Sequence, residues 1–171
     1  MVKIRQADIE DMKRISDIYD RARSFMRSSG NPNQWPETYP NEEIIKKDIH
    51  DGTCFVCPEG QTVVAVFSFI IGPEPTYDRI RDGAWRYNEP YGTIHRLAAA
   101  ATARGAAQAC FSFCAGRHPY LRVDTHRDNL PMRRAVEKFG FIPCGIVAVR
   151  GGERIAYDLS LIHISEPTRR S

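Results

Sequence analysis

The chain has no apolar stretch as long as a membrane span, and its 171 residues contain neither an internal repeat nor a low-complexity segment. The N-terminal residues lead at once into strand-like alternation, so we expect no membrane partner and a cytoplasmic location. A hydrophobic content of 42% with a charged content of 26% is typical of one compact domain with a buried core.

A strong excess of charge of either sign is also missing. The 24 basic residues only slightly outnumber the 21 acidic ones, which gives a formal net charge of +3. Because the basic residues are distributed along the chain, we expect no nucleic-acid partner. The mild positive bias suits an anionic cofactor.

The five cysteines form no regular framework of spacings. Cys54 and Cys57 lie three residues apart in a strand-like run, where such residues point to opposite faces of a sheet. Cys110 and Cys114 share one helix face and resemble small core residues more than a metal pair. We therefore predict reduced, structural thiols and no metal site.

Hydrophobic periodicity predicts the element order β-α-α-β-β-β-α-β-α-β-β. Asp8 and Asn41 are predicted to cap the first two helices. The strand-like residues 53–57 and 62–71 predict an antiparallel hairpin at the centre of the sheet. The long polar loop over residues 72–90 is expected to be functional or mobile.

A glycine-containing turn lies between the strand-like residues 91–98 and a helix with an apolar stripe. Such a turn directs free backbone N–H groups toward the positive end of the helix dipole, where a phosphate or pyrophosphate can bind. The signal is weak alone, because many helices begin near a glycine for packing reasons. The turn consists of Thr102, Ala103, Arg104, Gly105, Ala106 and Ala107.

Four segments together carry a resemblance to a known family. They are residues 94–98 (IHRLA), the turn at residues 102–107, residues 124–129 (DTHRDN) and residues 137–141 (EKFGF). At these separations they resemble the GCN5-related N-acetyltransferase (GNAT) superfamily across residues 1–158, most closely its small bacterial members. The resemblance implies an α/β (α+β) fold whose mixed, mostly antiparallel central sheet has splayed fourth and fifth strands.

The resemblance also implies a site for acetyl-coenzyme A. In the family, the splayed strands expose backbone groups that pair with pantetheine, while the turn amides hold the pyrophosphate. Carried over by position, Leu97, Ala98 and Ala99 would line the pantetheine and thioester, and residues 102–107 would hold the pyrophosphate. Asn129 matches a family asparagine that commonly reaches the cofactor, although it serves equally well as a helix N-cap.

Three positions depart from the family pattern. The first residue of the phosphate turn, usually Gln or Arg, is Thr102, which removes a long polar side chain but no backbone donor. Val136 stands where many relatives have a tyrosine that protonates the departing thiolate. Tyr91 stands where some relatives have a glutamate base, and Glu89 lies nearby, so both are reserve candidates for proton transfer.

Two histidines are the main candidates for proton transfer, since their ordinary pKa lies near neutrality. We expect His126, at the end of the fifth strand, to assist amine deprotonation or thiolate departure, with Asp124 orienting it from the same strand face. His95 is expected to share a strand face with Thr93 and Leu97, and its simpler role is that of a structural histidine.

The loop aromatics Trp35, Tyr39 and Trp85 either line an amine pocket or cover the core. The expected function is direct transfer of an acetyl group from acetyl-coenzyme A to an amine, most simply on a small molecule, by a monomer or homodimer. The alternative is a non-catalytic acyl-coenzyme A binding or sensing domain, which the missing tyrosine allows.

The C-terminal segment resembles a translated sequencing adapter and not part of a folded domain. Residues 159–169 match, without interruption, the in-frame translation of a transposon-end sequencing adapter. We therefore interpret residues 159–171 as a non-native tail and assign the acetyltransferase domain to residues 1–158.

Overall fold

The computed structural model describes residues 3–36, 38–150 and 152–163. Its seven strands form one sheet in the order β1-β2-β3-β4-β5-β7-β6, in which β4 and β5 are parallel and the other described pairs antiparallel. The strands are β1 (Arg5–Gln6), β2 (Cys54–Glu59), β3 (Thr62–Ile71), β4 (Gly92–Ala99), β5 (Tyr120–Thr125), β6 (Ile142–Val149) and β7 (Gly152–Ser160). The helices are α1 (Met12–Ser28), α2 (Glu42–His50), α3 (Ala106–Ala115) and α4 (Leu130–Phe139). The predicted order of elements is confirmed.

Side-chain caps begin the first two helical segments as predicted. The Asp8 carboxylate accepts a hydrogen bond of 2.9 Å from the backbone N–H of Glu10 and caps a 3₁₀ turn that continues into α1. The Asn41 side chain accepts one of 2.9 Å from the N–H of Ile44 at the start of α2. In the described part of the chain, none of the helices combines the length and apolar character that crossing a bilayer requires.

The sheet separates two main hydrophobic clusters. Helices α1 and α2 cover one face, and α3 and α4 cover the other. Cys54 belongs to the first cluster and Cys57 to the second, which confirms that they point to opposite faces. Cys110 and Cys114 pack together in the second cluster, as predicted. All five cysteines are free and buried, and burial raises the pKa of the Cys54 thiol to about 12.

The middle of the sheet is β4, so the prediction that the β2–β3 hairpin lies at the centre is wrong. Three strands lie on each side of β4. The long apolar run of β3 reflects its burial under helices on both faces, which sequence patterning cannot distinguish from a central position. The additional strands on the far side come from the parallel pairing with β5 and the insertion of β7 between β5 and β6.

The segment at residues 72–90 folds against the sheet and contributes an aromatic cluster. Tyr77 is fully buried, and the Trp85 indole N–H donates a hydrogen bond of 2.9 Å to its carbonyl oxygen. Arg81 exchanges two backbone hydrogen bonds, of 2.9 and 2.8 Å, with Ile146 in β6. The segment therefore covers the edge that β6 would otherwise expose.

A bulge in β4 is the irregularity that shapes the rest of the molecule. Ser68 of β3 pairs with His95, but Phe67, the residue before Ser68, faces both Arg96 and Leu97. Arg96 has a φ of 53°, in the left-handed region that non-glycine residues rarely adopt.

The extra residue of the bulge corrects one sequence expectation. His95 lies opposite Ser68, on the face covered by α1 and α2, whereas Leu97 packs against the cluster under α3 and α4. The prediction that Thr93, His95 and Leu97 share one face is therefore wrong, because one inserted residue reverses the alternation beyond it.

Arg96 is held by contacts on both its side chain and its backbone. Its Nη2 and Nε atoms bind the carboxylate of Asp48 in α2, with distances of 2.7 Å and 3.1 Å to Oδ2, and its Nη1 donates to the Tyr39 hydroxyl at 3.0 Å. The Tyr19 hydroxyl donates to the Arg96 carbonyl oxygen at 2.8 Å. These contacts hold the bulge against α1 and α2, the helices that contain Tyr19 and Asp48.

The strand β7 continues two residues past the predicted domain boundary. Leu159 is buried in the cluster under α3 and α4, and Ser160 pairs with β5. The His163 ring stacks on that of Tyr87, with centroids 3.8 Å apart. Residues 1–2 of the strand-like N-terminus and residues 164–171 of the predicted tail lie outside the described residues.

We expect Asp48→Ala to destabilise the fold by about 3 to 5 kcal/mol, since it leaves the nearly buried guanidinium of Arg96 without its carboxylate. Unfolding in urea measures the change. Asp51→Ala, which removes an exposed pair with Lys47, is the control and should have a much smaller effect. Equal losses in the two variants would contradict the importance of the Arg96 pair.

Candidate active site

Strands β4 and β5 separate where the bulge begins. Their parallel pairing covers three residue pairs and ends with Ile94 opposite Val123. Both strands then continue, β4 to Ala99 and β5 to Thr125, without further pairing to each other. The backbone edges that face each other across the gap are therefore available to a ligand, and the predicted splay is confirmed.

The gap opens into a small cavity of about 40 Å³. It is lined by Gln34, Trp35, Tyr39, Ile94, His95, Arg96, Leu97, Val123, Asp124, Asn129, Met132, Val149 and Arg150. Five residues singled out from the sequence as site candidates thus come together here, namely Trp35, Tyr39, His95, Leu97 and Asn129. Hereafter this space is called the splay pocket.

Asp124 supplies the carboxylate of the splay pocket. Its Oδ2 accepts a hydrogen bond of 2.6 Å from the hydroxyl of Tyr77. Burial raises the pKa of the carboxyl group, while that hydrogen bond and the charges of Arg154 and Arg150 act in the opposite direction. Among the described residues, no cation lies within ion-pair distance of Asp124.

His95 is a neutral group in the same pocket. Its Nε2 lies 3.7 Å from Oε1 of Glu74, and its ring centroid lies 6.4 Å from that of Tyr77. Burial lowers the pKa of His95 to about 3, and the positive charges of Arg96 and Arg150 act in the same direction. The imidazole therefore carries no charge near neutral pH.

The rings of Trp35 and Tyr39 support the rim of the splay pocket. Tyr39 packs edge-on against Trp35, with ring centroids 6.1 Å apart. The guanidinium carbon of Arg150, in the turn between β6 and β7, lies 3.9 Å from the Tyr39 ring centroid. Arg150 is exposed and has a φ of 49°. It was not identified from the sequence, because hairpin turns commonly contain exposed arginines.

Gln34 connects the splay pocket to strands β5 and β7. Its Oε1 accepts hydrogen bonds from Nδ2 of Asn129 at 2.9 Å and from the Thr125 hydroxyl at 3.3 Å. Its backbone carbonyl accepts one of 2.6 Å from Nη2 of Arg154. Asn129 also caps α4 by accepting a hydrogen bond from the N–H of Met132. No sequence signal identified Gln34, which lies in an irregular segment.

His126 lies in a separate groove outside the splay pocket. Its Nδ1 accepts a hydrogen bond of 3.1 Å from the backbone N–H of Asp128. The expected orienting contact with Asp124 is absent, because β5 ends at Thr125 and the Asp124 carboxylate is directed to Tyr77 instead. The groove is lined by Arg81, Asp82, His126, Arg127, Ile146, Glu153, Arg154 and Ile155.

Three other candidates from the sequence also lie outside the pocket. The Tyr91 hydroxyl accepts a hydrogen bond of 2.7 Å from the backbone N–H of Glu74. Glu89 lies with its Oε1 3.0 Å from Nε2 of His163. Trp85 packs within the aromatic cluster of residues 72–90. Their described contacts are therefore structural.

The turn before α3 presents backbone donors to an open surface. Gly105 has a φ of 70°, and a Cβ added there would meet no heavy atom within 4 Å. No side chain caps the helix, and its first backbone bond runs from the N–H of Ala109 to the carbonyl of Gly105. The N–H groups of Ala106, Ala107 and Gln108 thus have no acceptor within the helix. This end of α3 fits an anion such as a pyrophosphate.

Solved structures resemble this one over nearly the whole chain. An acetyltransferase of the GNAT family from Streptococcus agalactiae is 31% identical, with a TM-score of 0.86 over 93% of this chain and 95% of that one. One from Listeria monocytogenes is 15% identical, with a TM-score of 0.68 over 94% and 95%. A mutant of an agmatine N-acetyltransferase in its apo form is 14% identical, with a TM-score of 0.64 over 94% and 99%. No protein-family model and no curated protein matches the sequence.

We expect the stability of the protein to depend on pH through His95. Because its pKa in the folded state lies below its ordinary value of 6.5, the unfolded chain binds one more proton between pH 6.5 and about 3. The contribution of neutral His95 to the free energy of unfolding is complete above pH 6.5. It is lost as the pH falls, by about 1.4 kcal/mol per pH unit.

Urea unfolding at pH 7 and pH 5 measures this dependence. Over that interval, the unmodified protein should lose about 2 kcal/mol more than His95→Gln, which has no imidazole to protonate. His50→Gln removes an exposed histidine at the end of α2 and should behave as the unmodified protein does. Identical losses in all three proteins would show that His95 is not buried in its neutral form.

Proposed function

The chain belongs to the GNAT family of acetyltransferases, and from that premise we propose that it transfers an acetyl group from acetyl-coenzyme A directly to the amino group of a small molecule. The main support for the proposal is the composition of the splay pocket. It combines the unpaired edge of β4 after the bulge with the carboxylate of Asp124, which has no cationic partner among the described residues. An ammonium group suits that carboxylate.

The residues along β4 and α3 fit coenzyme A. Ala98 and Ala99 pair with β3 on one side, which leaves the side facing β5 free for the amides of pantetheine. The uncapped N-terminus of α3 and the open space at Gly105 suit the pyrophosphate. Thr102 and Arg104 are exposed beside this turn. The bound cosubstrate would supply an acetyl group activated as a thioester.

The reaction needs a deprotonated amine and a polarised carbonyl group. The acceptor arrives as an ammonium ion hydrogen-bonded to Asp124, and its proton passes to that carboxylate and then to solvent. The amine nitrogen attacks the thioester carbon, a C–N bond forms, the nitrogen loses its second proton to solvent, and the C–S bond breaks. A free backbone N–H of β4 near Leu97 would stabilise the negative charge on the oxygen.

The departing sulfur does not require the missing tyrosine. The ordinary pKa of a cysteine thiol is about 8.5, only a few units above neutral pH, so a comparable thiol can leave as the thiolate without a general acid. Val136, which occupies the place of that tyrosine, is fully buried in the cluster under α3 and α4. Solvent would then protonate the released thiolate.

A second candidate function is a non-catalytic acyl-coenzyme A binding domain. The buried Val136 favours it, because this side chain offers no proton to a thiolate. Release of coenzyme A, followed with a thiol reagent against a panel of amines, distinguishes the two functions. Turnover supports the transferase, whereas binding of acetyl-coenzyme A without turnover supports the binding domain.

We expect Gly105→Glu to abolish the binding of acetyl-coenzyme A, because it adds bulk and negative charge where the pyrophosphate would lie. In the unmodified protein, ligand at a hundred times its Kd should add about 2.7 kcal/mol of stability, visible as a rise in Tm. Gly60→Glu is the matched control, since Gly60 in the turn between β2 and β3 has a similar φ of 64°, and a Cβ added there would also meet no heavy atom within 4 Å. An undiminished rise in Tm for Gly105→Glu would overturn the cofactor site.

We expect Asp124→Asn to lower kcat by about a hundredfold or more, as loss of a catalytic base does, with little change in the Kd for acetyl-coenzyme A. The asparagine keeps an oxygen for the Tyr77 hydroxyl, so the fold should be retained. His126→Gln, in the separate groove, should keep most of its activity. The reverse result, with turnover lost in His126→Gln alone, would return proton transfer to His126.

A further inference from the structure

We propose that the acceptor amine carries a carboxylate close to its amino group, as a free α-amino acid does. This inference rests on the acetyl transfer proposed above and specifies the substrate class of the same pocket. Its basis is that the splay pocket contains one carboxylate and one guanidinium, Asp124 and Arg150, neither of which has an ion-pair partner among the described residues.

The charges that line the pocket fit a zwitterion. Asp124 is the one acidic residue among the lining groups. Of the two arginines there, Arg96 is already neutralised by Asp48, whereas Arg150 is not neutralised by any described carboxylate. His95 is neutral. An acceptor with one ammonium and one carboxylate would therefore pair the open charges of both Asp124 and Arg150.

Arg150 is held in a way that keeps its donors available. Its guanidinium stacks over the ring of Tyr39, so one face is occupied by the aromatic ring. The N–H groups of a guanidinium lie in its plane, and stacking leaves them free to bind the two oxygens of a carboxylate. The Tyr39 hydroxyl is itself fixed by Arg96, so the platform beneath Arg150 does not depend on a ligand.

The dimensions of the pocket favour a carboxylate near the amino group over a distant one. About 40 Å³ of free space holds only two or three water-sized groups. An amino group and its α-carbon fill that space beside Asp124, so the next group on the substrate meets the rim, where Arg150 lies. A second ammonium at that point would be repelled by Arg150.

Matched pairs of substrates test the inference. Arginine with agmatine, tyrosine with tyramine, and leucine with 3-methylbutylamine each differ only by the α-carboxylate. With saturating acetyl-coenzyme A, release of coenzyme A should give a kcat/KM at least about tenfold higher for the amino acid in one or more pairs, the equivalent of one good charge-assisted contact.

Variants at position 150 connect that preference to Arg150. Arg150→Asn should raise KM for the amino acid while leaving turnover of the decarboxylated amine in place, and asparagine tolerates the positive φ there. Arg150→Lys keeps the charge and should retain part of the preference. Arg127→Asn removes an exposed arginine of the other groove and should change nothing.

The other possible results of these experiments would each contradict a specific part of the two proposals. Equal or better use of the decarboxylated amines would overturn this inference while leaving the proposed acetyl transfer intact. A preference for amino acids that persists in both Arg150 variants would overturn the part assigned to Arg150. Release of coenzyme A with none of the amines, despite binding of acetyl-coenzyme A, would overturn the proposed transfer and this inference together.

Discussion

The ion pair between Arg96 and Asp48 is the contact on which the site depends. A non-glycine residue in the left-handed region costs about 1 to 3 kcal/mol and persists only where its surroundings fix it. Here the carboxylate of Asp48 binds the side chain, while the Tyr19 hydroxyl binds the carbonyl. The pairing of β4 with β5 ends at Ile94, two residues before Arg96, so contacts from α1 and α2 hold β4 at the place where the splay pocket opens.

Local signals in the sequence were sufficient for the order of the elements and for several of their ends. Asp8 and Asn41 cap the segments predicted for them, and Cys54 and Cys57 point to opposite faces, because each of these properties depends on residues only a few positions apart. The bulge was not predictable in this way. Its backbone conformation is imposed by Asp48 and Tyr19, which lie 48 and 77 residues from Arg96 along the chain.

The same difference explains the candidate site. The glycine turn before α3 is a local motif, and Gly105 adopts a positive φ that glycine accommodates readily. The surroundings of a proton-transfer group depend on long-range contacts: residue type favours His126 because of its ordinary pKa, while folding brings Asp124, Tyr77 and His95 together. Burial lowers the pKa of His95 and leaves its ring uncharged near neutral pH, a property that residue type alone does not reveal.

Tyr39 links the two halves of the proposed chemistry. Its hydroxyl accepts a hydrogen bond from Arg96, at the bulge of the strand proposed to bind coenzyme A, and its ring contacts Arg150 at the rim of the splay pocket. Both arginines therefore contact the same aromatic residue, one at its hydroxyl and the other at its ring. The irregular segment that contains Tyr39 is held by hydrogen bonds of its own, because Nη1 of Arg23 in α1 donates to the carbonyl oxygens of Tyr39 and Pro40, each at 3.2 Å. Contacts from α1 and α2 therefore position both the rim of the splay pocket and the bulge that it contacts.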